Sequence, residues 1–285
     1  MTRQTRGLPQ LFLLLSLCAA PALLHAQVLR WTANGLPVCT ASGWQKSPRT
    51  VQDGSGGVIV AWEDIRTGST PAIYAARVTA DGLTPWLKDG IMISAAAMGQ
   101  QLAGIAADGA GGAYIAWWNR KNGHHDVFVQ HVNAAGTALW TAGGITVCGA
   151  VKDQQWATVI TDGAGGCILA WQDGRGGNND IYAQRLAPDG SASWSADGAI
   201  VCDASGDQLY PDVATDQQGG AYVVWMDRRS GDDIYAQHIA SNGARSWPQE
   251  LAICALPERQ IAPKVASAGN GGAAVVWQDL SLIHI

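Results

Sequence analysis

The chain is short of the features that mark most enzymes and most nucleic-acid-binding proteins. Charged residues make up only 14% of its 285 residues, and acids outnumber bases for a net charge of −5. No basic stripe is present, which argues against nucleic acid and anionic membrane as partners. Glutamate occurs only at Glu63, Glu250 and Glu258, which leaves little for chemistry that needs paired carboxylates unless aspartates supply them. There is no G-x-S-x-G, no H-E-x-x-H and no phosphate-cradling glycine loop. The six cysteines contain no C-x-x-C, so a cysteine-held metal has no supporting spacing. The apolar run Leu11–Leu17 is too short, and too near Pro21, to cross a membrane as a helix.

That run has another use. Arg3 and Arg6 precede it, and Leu24-His25-Ala26 follows with a small terminal residue. Residues 1–26 therefore read as a signal peptide, with the chain expected outside the cell, at its surface or in the periplasm. Cys18 follows Leu17, where a lipidation signal wants a small residue, so simple secretion is the reading taken. Without residues 1–26 the chain carries 16 basic and 23 acidic residues, a net −7. At the other end, residues 280–285 (Leu-Ser-Leu-Ile-His-Ile) resemble a translated sequencing adapter and are set aside; the natural chain is expected to continue beyond Asp279.

What the chain has in abundance is glycine (35) and tryptophan (13), and the tryptophans are periodic. Trp31, Trp86, Trp140, Trp194 and Trp247 follow one another at 55, 54, 54 and 53 residues; Trp62, Trp117, Trp171, Trp225 and Trp277 do so at 55, 54, 54 and 52. A period of this length marks a repeat architecture. The repeats run approximately 31–85, 86–139, 140–193, 194–246 and, in part, 247–279. In the third, Gly144–Cys148, Gln155–Thr161, Cys167–Trp171 and Asp180–Leu186 read as a first to a fourth strand, with Asp162-Gly163-Ala164-Gly165-Gly166 as a tight turn. Four short antiparallel strands per repeat predict an all-β fold, a β-propeller or open propeller arc of four-stranded blades. Both tryptophan registers are expected between or within blades. Cys39, Cys148, Cys202 and Cys254 share one repeat position, with Ser94 in the second repeat, and positions a whole unit apart are too distant to form disulfides.

The turn Asp189-Gly190-Ser191-Ala192-Ser193-Trp194 resembles the Asp-box (S-x-D-x-G-x-T-W) of sialidase-like propellers, with Asp moved next to Gly. Most of the chain is similar to uncharacterised secreted bacterial repeat proteins with a D-G-x-G-G-x-x-x-A-W-x-D-x-R…D-I-Y-A-Q-R pattern. That resemblance implies a propeller-like scaffold at the cell surface and brings no catalytic residues. The Asp-box likeness implies an exo-glycosidase or polysaccharide lyase as the alternative. A sialidase-like site would need a Tyr activated by Glu, an acid Asp and clustered arginines.

Candidate binding residues are the polar groups recurring on one face: Gln154 with Asp173 and Arg175, and Gln208 with Asp227 and Arg229. The same groups suit ties between blades. Of the tryptophans outside both registers, Trp44, Trp118 and Trp156 suit stacking on a sugar, and Trp118 is expected to be more exposed than Trp171. Asp173, Asn178, Asn179 and Asp180 offer oxygen ligands for calcium in one Gly-rich loop. His124, His125 and Asp126 interrupt the second repeat and read as a solvated loop rather than a zinc site. The leading functional reading is a secreted propeller scaffold that binds or displays glycan or protein partners, with no catalytic residues and no cofactor assigned.

Overall fold

In the computed structural model, residues 34–94, 99–121 and 123–280 are described. The signal-peptide reading and Trp31 lie outside them. The first sheet comprises β1 (Gln45–Gln52), β2 (Val58–Asp64), β3 (Ala72–Val78) and β4 (Ile91–Ser94). The second comprises β5 (Gln101–Ala107), β6 (Ala113–Lys121), β7 (His124–Val132) and β8 (Ile145–Cys148). The third comprises β9 (Gln154–Thr161), β10 (Cys167–Asp173), β11 (Asp180–Leu186) and β12 (Ala199–Cys202). The fourth comprises β13 (Gln208–Thr215), β14 (Ala221–Asp227), β15 (Asp233–Ile239) and β16 (Leu251–Cys254). β17 (Gln260–Gly269) and β18 (Gly272–Asp279) form a two-stranded fifth. Every sheet is antiparallel with strands in chain order, which is the blade of a β-propeller.

The structural blade is out of phase with the sequence repeat. Gly144–Cys148 is read above as a first strand, yet β8 is the fourth strand of the second blade, paired with β7 through Val127↔Cys148 and Val129↔Ile145. Alternation identifies a strand but does not say which neighbour it joins. Each blade's first strand instead packs beside the first strand of the next: β1 on β5, β5 on β9, β9 on β13 and β13 on β17. These five inner strands surround a central channel. No comparable contact joins β17 to β1 among the described residues, so the blades form an open arc.

The core lies between blades. One buried cluster joins Tyr114, Trp118 and Trp140 to Val159, Leu169 and Trp171; another joins Ile168 and Trp194 to Val213 and Trp225. β10 is buried along its whole length because blades cover both of its faces. The first-to-second-strand turns of the first four blades are built alike, whereas Ala268 takes the Asp position in the fifth. Asp162 Oδ1 accepts the amides of Ala164 and Gly166 at 2.8 Å, and Asp53, Asp108 and Asp216 do the same in their blades. The other carboxylate oxygen takes a third-strand side chain: Arg77, His131, Arg185 or His238. Burial works to raise the Asp216 carboxyl, but His238 and the amides of Gln218 and Gly220 hold it below the ordinary range.

The two tryptophan registers do separate jobs. Trp86, Trp140 and Trp194 each donate Nε1 to a carbonyl of the next blade's third-to-fourth-strand turn, at Ala134, Pro188 and Ser241. Each lies flat on a glycine of that turn. A Cβ on Gly136 or Gly243 would come within 2.9 or 2.7 Å of the indole beneath, so the glycine of the Asp-box-like turn is a packing surface. The second register is buried, with Trp62 at 4% and Trp117, Trp171 and Trp225 at 0% exposure, until the open end, where Trp277 is 37% exposed.

Candidate functional site

The recurring polar groups are placed in the joints between blades. Trp171 Nε1 donates to Asp173 Oδ2 at 2.9 Å, and Arg175 reaches the same carboxylate through Nε at 2.9 Å and Nη2 at 2.6 Å. Arg175 Nη2 also donates to Cys148 Sγ at 2.9 Å, in the preceding blade's fourth strand, and to Asp197 O at 2.7 Å, in the turn before its own blade's fourth strand, and the guanidinium lies 4.1 Å over the Tyr182 ring. Asp64–Arg66–Cys39–Tyr74 and Asp227–Arg229–Cys202–Tyr235 repeat the arrangement. Asp173 and Asp227 are fully buried, as are Gln154 and Gln208. Gln154 Nε2 donates to Lys152 O and Gln208 Nε2 to Gly206 O, which folds each inter-blade loop back on its joint. These six side chains are engaged with protein and lie away from the channel.

The second blade lacks this unit as a whole. Asn119 stands for Asp, Lys121 for Arg, Ser94 for Cys and Phe128 for Tyr. Trp117 stacks on Phe128 at 5.9 Å, and its Nε1 has no hydrogen-bond partner. In the third blade the arginine at this position touches the other three.

The proposed calcium ligands are also drawn into protein contacts. Asn178 Nδ2 donates to Asp180 Oδ1 and to Gly206 O, and Asn179 Nδ2 donates to Asp207 Oδ1, tying the third blade to the loop before the fourth. Burial, then the carboxylates of Asp203 and Asp173, push Asp180 up to about 6. His125 Nδ1 lies 3.0 Å from Asp153 Oδ1, and His124 Nε2 lies 3.4 Å from Asp126 Oδ1. No group of three His, Cys, Asp or Glu side chains converges as a metal-ligand set among the described residues.

A different set of residues meets in the channel. Each inner strand carries a β-bulge against its second strand, at Lys46/Arg49, Leu102/Gly104, opposite Ala170/Gln172, at Leu209/Asp212 and at Ile261/Lys264. In four of the five the bulge holds a non-glycine residue in left-handed backbone: Ser47 (φ 52°), Trp156 (φ 56°), Tyr210 (φ 52°) and Ala262 (φ 51°). A bulky residue there is uncommon, and bulges re-aim side chains. Trp156 and Tyr210 stand out from the channel wall, 46% and 44% exposed.

Together with Trp118 they form a row. Trp118 and Trp156 have ring centroids 5.5 Å apart, and Trp156 meets Tyr210 edge-on at 5.1 Å. Trp118 is more exposed than Trp171, as expected, but only at 5% against 0%, so it too is buried. Its register faces the next blade's bulge, where Trp156 covers it. In the equivalent position Glu63 Oε1 accepts the Leu102 amide of the next blade, and only Gln278, at the open end, is exposed. Trp44 is 68% exposed and does not line the channel. Tyr210 went unnoticed in the sequence, although it stands two residues after Gln208 as Trp156 does after Gln154.

The row lines a cavity of about 820 Å³ bounded by all five inner strands. Arg49, Arg228, Arg259, Lys264 and a single acid, Asp212, complete its charged lining among the described residues. Asp212 holds Lys264 Nζ at 3.2 Å and the Val265 amide at 2.9 Å. Asp232 takes both Arg228 (2.8 Å) and Arg259 (2.5 Å). Burial works to raise Asp232, but these two guanidinium groups hold it below the ordinary carboxylate range. Arg49 has no acid partner among the described residues. The channel wall is thus cationic in a protein of net charge −5.

No family model matches the sequence, and comparison with curated proteins gives no match. Solved structures do resemble it. A protein of unknown function from Dyadobacter fermentans is 9% identical over 82% of this chain and 74% of its own, with a TM-score of 0.52. The Penicillium chrysogenum α-L-arabinanase solved with arabinobiose is 13% identical over 81% and 74%, with a TM-score of 0.46. The GH93 α-L-arabinofuranosidase of Fusarium graminearum has the same identity and coverage, with a TM-score of 0.45. At these identities the likeness is one of fold. Among the described residues no helix is long and apolar enough to cross a membrane.

Proposed function

We propose that this protein is a secreted glycan-binding propeller that holds an acidic polysaccharide, a chain of uronate sugars, in its central channel. The observation that carries this reading is the row Trp118–Trp156–Tyr210 inside a cavity whose charged lining is four bases and one acid. A pyranose presents a C–H face that packs on an aromatic ring, and a uronate adds a carboxylate that a guanidinium grips through paired N–H groups. The bulge that exposes Trp156 and Tyr210 provides the first contact, and Arg49, which has no acid partner among the described residues, provides the second. Binding is favoured over hydrolysis because a glycosidase needs two carboxyl groups flanking the scissile bond. Among the described residues the cavity lining supplies only Asp212, already engaged by Lys264 and a backbone amide.

Isothermal titration of residues 27–279 with oligogalacturonate, oligoalginate and a neutral oligosaccharide of equal length tests it. The acidic oligomers bind, and binding weakens as salt rises. Trp156→Ala and Tyr210→Ala each weaken it about tenfold, equivalent to about 1.4 kcal/mol. Equal affinity for the neutral oligomer, or hydrolysis of any of the three, contradicts the reading.

A further inference from the structure

The inner strands enter the channel from one end. Gln100, Gln208 and Gln260, at or beside the starts of β5, β13 and β17, each donate a backbone amide to the residue just before the preceding blade's third strand, at Pro71, Asn179 and Asp232. Positions counted from these glutamines, and from Gln45 and Gln154, therefore mark depth in the channel. The position before the glutamine is the mouth. Two positions after it stand the bulge residues Trp156 and Tyr210, and four after it stand Arg49, Asp212 and Lys264. A strand advances about 3.3 Å per residue, so the mouth and the inner cations are roughly 15 Å of strand apart, with the aromatics between them.

The mouth departs from the repeat at one joint. In the third and fourth blades the position before the glutamine is an aspartate that caps the neighbouring strand: Asp153 Oδ1 accepts the His125 amide at 2.8 Å, and Asp207 Oδ1 the Asn179 amide at 2.9 Å. In the fifth blade that position is Arg259, and the acid has crossed the joint to Asp232, the counterpart of His125 and Asn179. Arg228, just after β14, stands where the first three blades have Ile65, Arg120 and Gly174. Of all these positions only Arg228 and Arg259 line the cavity. Each meets Asp232 through Nε, one on either carboxylate oxygen, and the Nη atoms of both are without a protein partner among the described residues. The Asp232 side chain is 11% exposed, against 43% for Arg228 and 58% for Arg259. The acid thus holds two guanidinium groups by their stem nitrogens and leaves their paired N–H ends unused, with one positive charge in excess.

We propose, resting on the reading of the channel as a uronate site, that Arg228 and Arg259 form a second carboxylate subsite at the channel mouth, with Asp232 as its positioning residue. The polymer then lies along the channel axis, with one carboxylate at the mouth, sugars stacked on Trp156 and Tyr210, and another carboxylate at Arg49. Paired guanidinium N–H groups match a carboxylate as a lysine cannot, and Lys264, the remaining cation of the lining, is already held by Asp212. The ligand is therefore a run of free uronates long enough to span both tiers, and a short oligomer fills one tier alone.

Isothermal titration of residues 27–279 with di-, tetra- and hexagalacturonate tests this, with the weaker ligands measured by displacement of labelled hexagalacturonate. Affinity is expected to rise at least tenfold between the length that fills one tier and the length that spans both. Arg228→Gln and Arg259→Gln each remove that step, weakening hexagalacturonate about tenfold while digalacturonate stays within about twofold of the parent. Their urea midpoints stay near that of the parent, because exposed ion pairs contribute little stability. Unchanged hexagalacturonate affinity in both variants overturns the proposal, as does weakening of both lengths alike or affinity that does not step with length. Those outcomes leave a parent protein that binds oligogalacturonate through Trp156 and Tyr210. If the parent binds no acidic oligomer, the uronate reading itself fails, and the subsite with it.

Discussion

Replacing Asp173 and Arg175, singly and together, measures what the joint between blades contributes. The Asp173 side chain is fully buried, and that of Arg175 is 22% exposed. Asp173→Asn keeps the shape but leaves the guanidinium without its counter-charge and turns an amide N–H₂ toward the donors of Trp171 and Arg175. Breaking a buried pair from one side costs about 3–5 kcal/mol. Arg175→Met leaves the carboxylate buried with Trp171, Gln154, the Cys148 thiol and a backbone amide around it and no counter-charge, a loss of similar size. The double variant removes both charges, and methionine retains much of the packing over Tyr182. It is expected to lose clearly less than the two single losses added, with a coupling of about 2–3 kcal/mol. The second blade has Asn119 and Lys121 at these positions, so it lacks the carboxylate but keeps a positive charge. Urea unfolding followed by tryptophan fluorescence measures all four proteins. Losses that add to within about 0.5 kcal/mol would show that the pair does not act as a unit. A single Asp173→Asn costing under about 1 kcal/mol would refute the burial argument itself.

Two further outcomes are expected. Trp171→Ala should lose about 3–5 kcal/mol, as for other buried aromatics, and Trp277→Ala much less, because its partner surface is open; hydrogen exchange should find β17 and β18 opening before the other sheets, and uniform protection would contradict this. Asp180 binds its proton more tightly in the folded protein (about 6) than in the unfolded chain (3.8), so the stability tied to the protonated form is present at about pH 4 and declines toward pH 6; Asp180→Asn should therefore raise Tm at pH 7 relative to the parent and leave it nearly unchanged at pH 4, and a pH-independent difference would refute the assignment.

The scaffold was legible in the sequence because it is made of repeated positions. Two tryptophan registers, the Asp-Gly-x-Gly-Gly turn and the D-I-Y-A-Q-R strand each recur at a fixed spacing, and each is a contact between or within blades. Blade phase was not legible, since alternation looks the same whether a strand pairs forward or backward, and β8 belongs to the sheet before it. Nor was burial at position 118 legible. In an isolated strand its side faces away from Trp117 and reads as solvent, whereas in the arc both faces of a sheet are covered.

The same logic separates site from scaffold. Gln154, Asp173 and Arg175 recur in most blades because every joint must be made, and the Gln154 amide nitrogen, the Asp173 carboxylate and the Arg175 guanidinium all bond within it. The bulge position is different: the backbone recurs, with left-handed φ in four inner strands, while the side chain runs through Ser47, Trp156, Tyr210 and Ala262. A conserved conformation with a varied side chain is how a repeat fold presents different chemistry at equivalent points around one axis. The two aromatics fall in adjacent blades, beside Trp118 from the one blade that has abandoned the standard joint. On the proposed reading, the asymmetry of the channel rather than the symmetry of the ring of joints would carry recognition, with the exposed aromatic faces on the third and fourth blades and Arg49 of the first lining the same cavity.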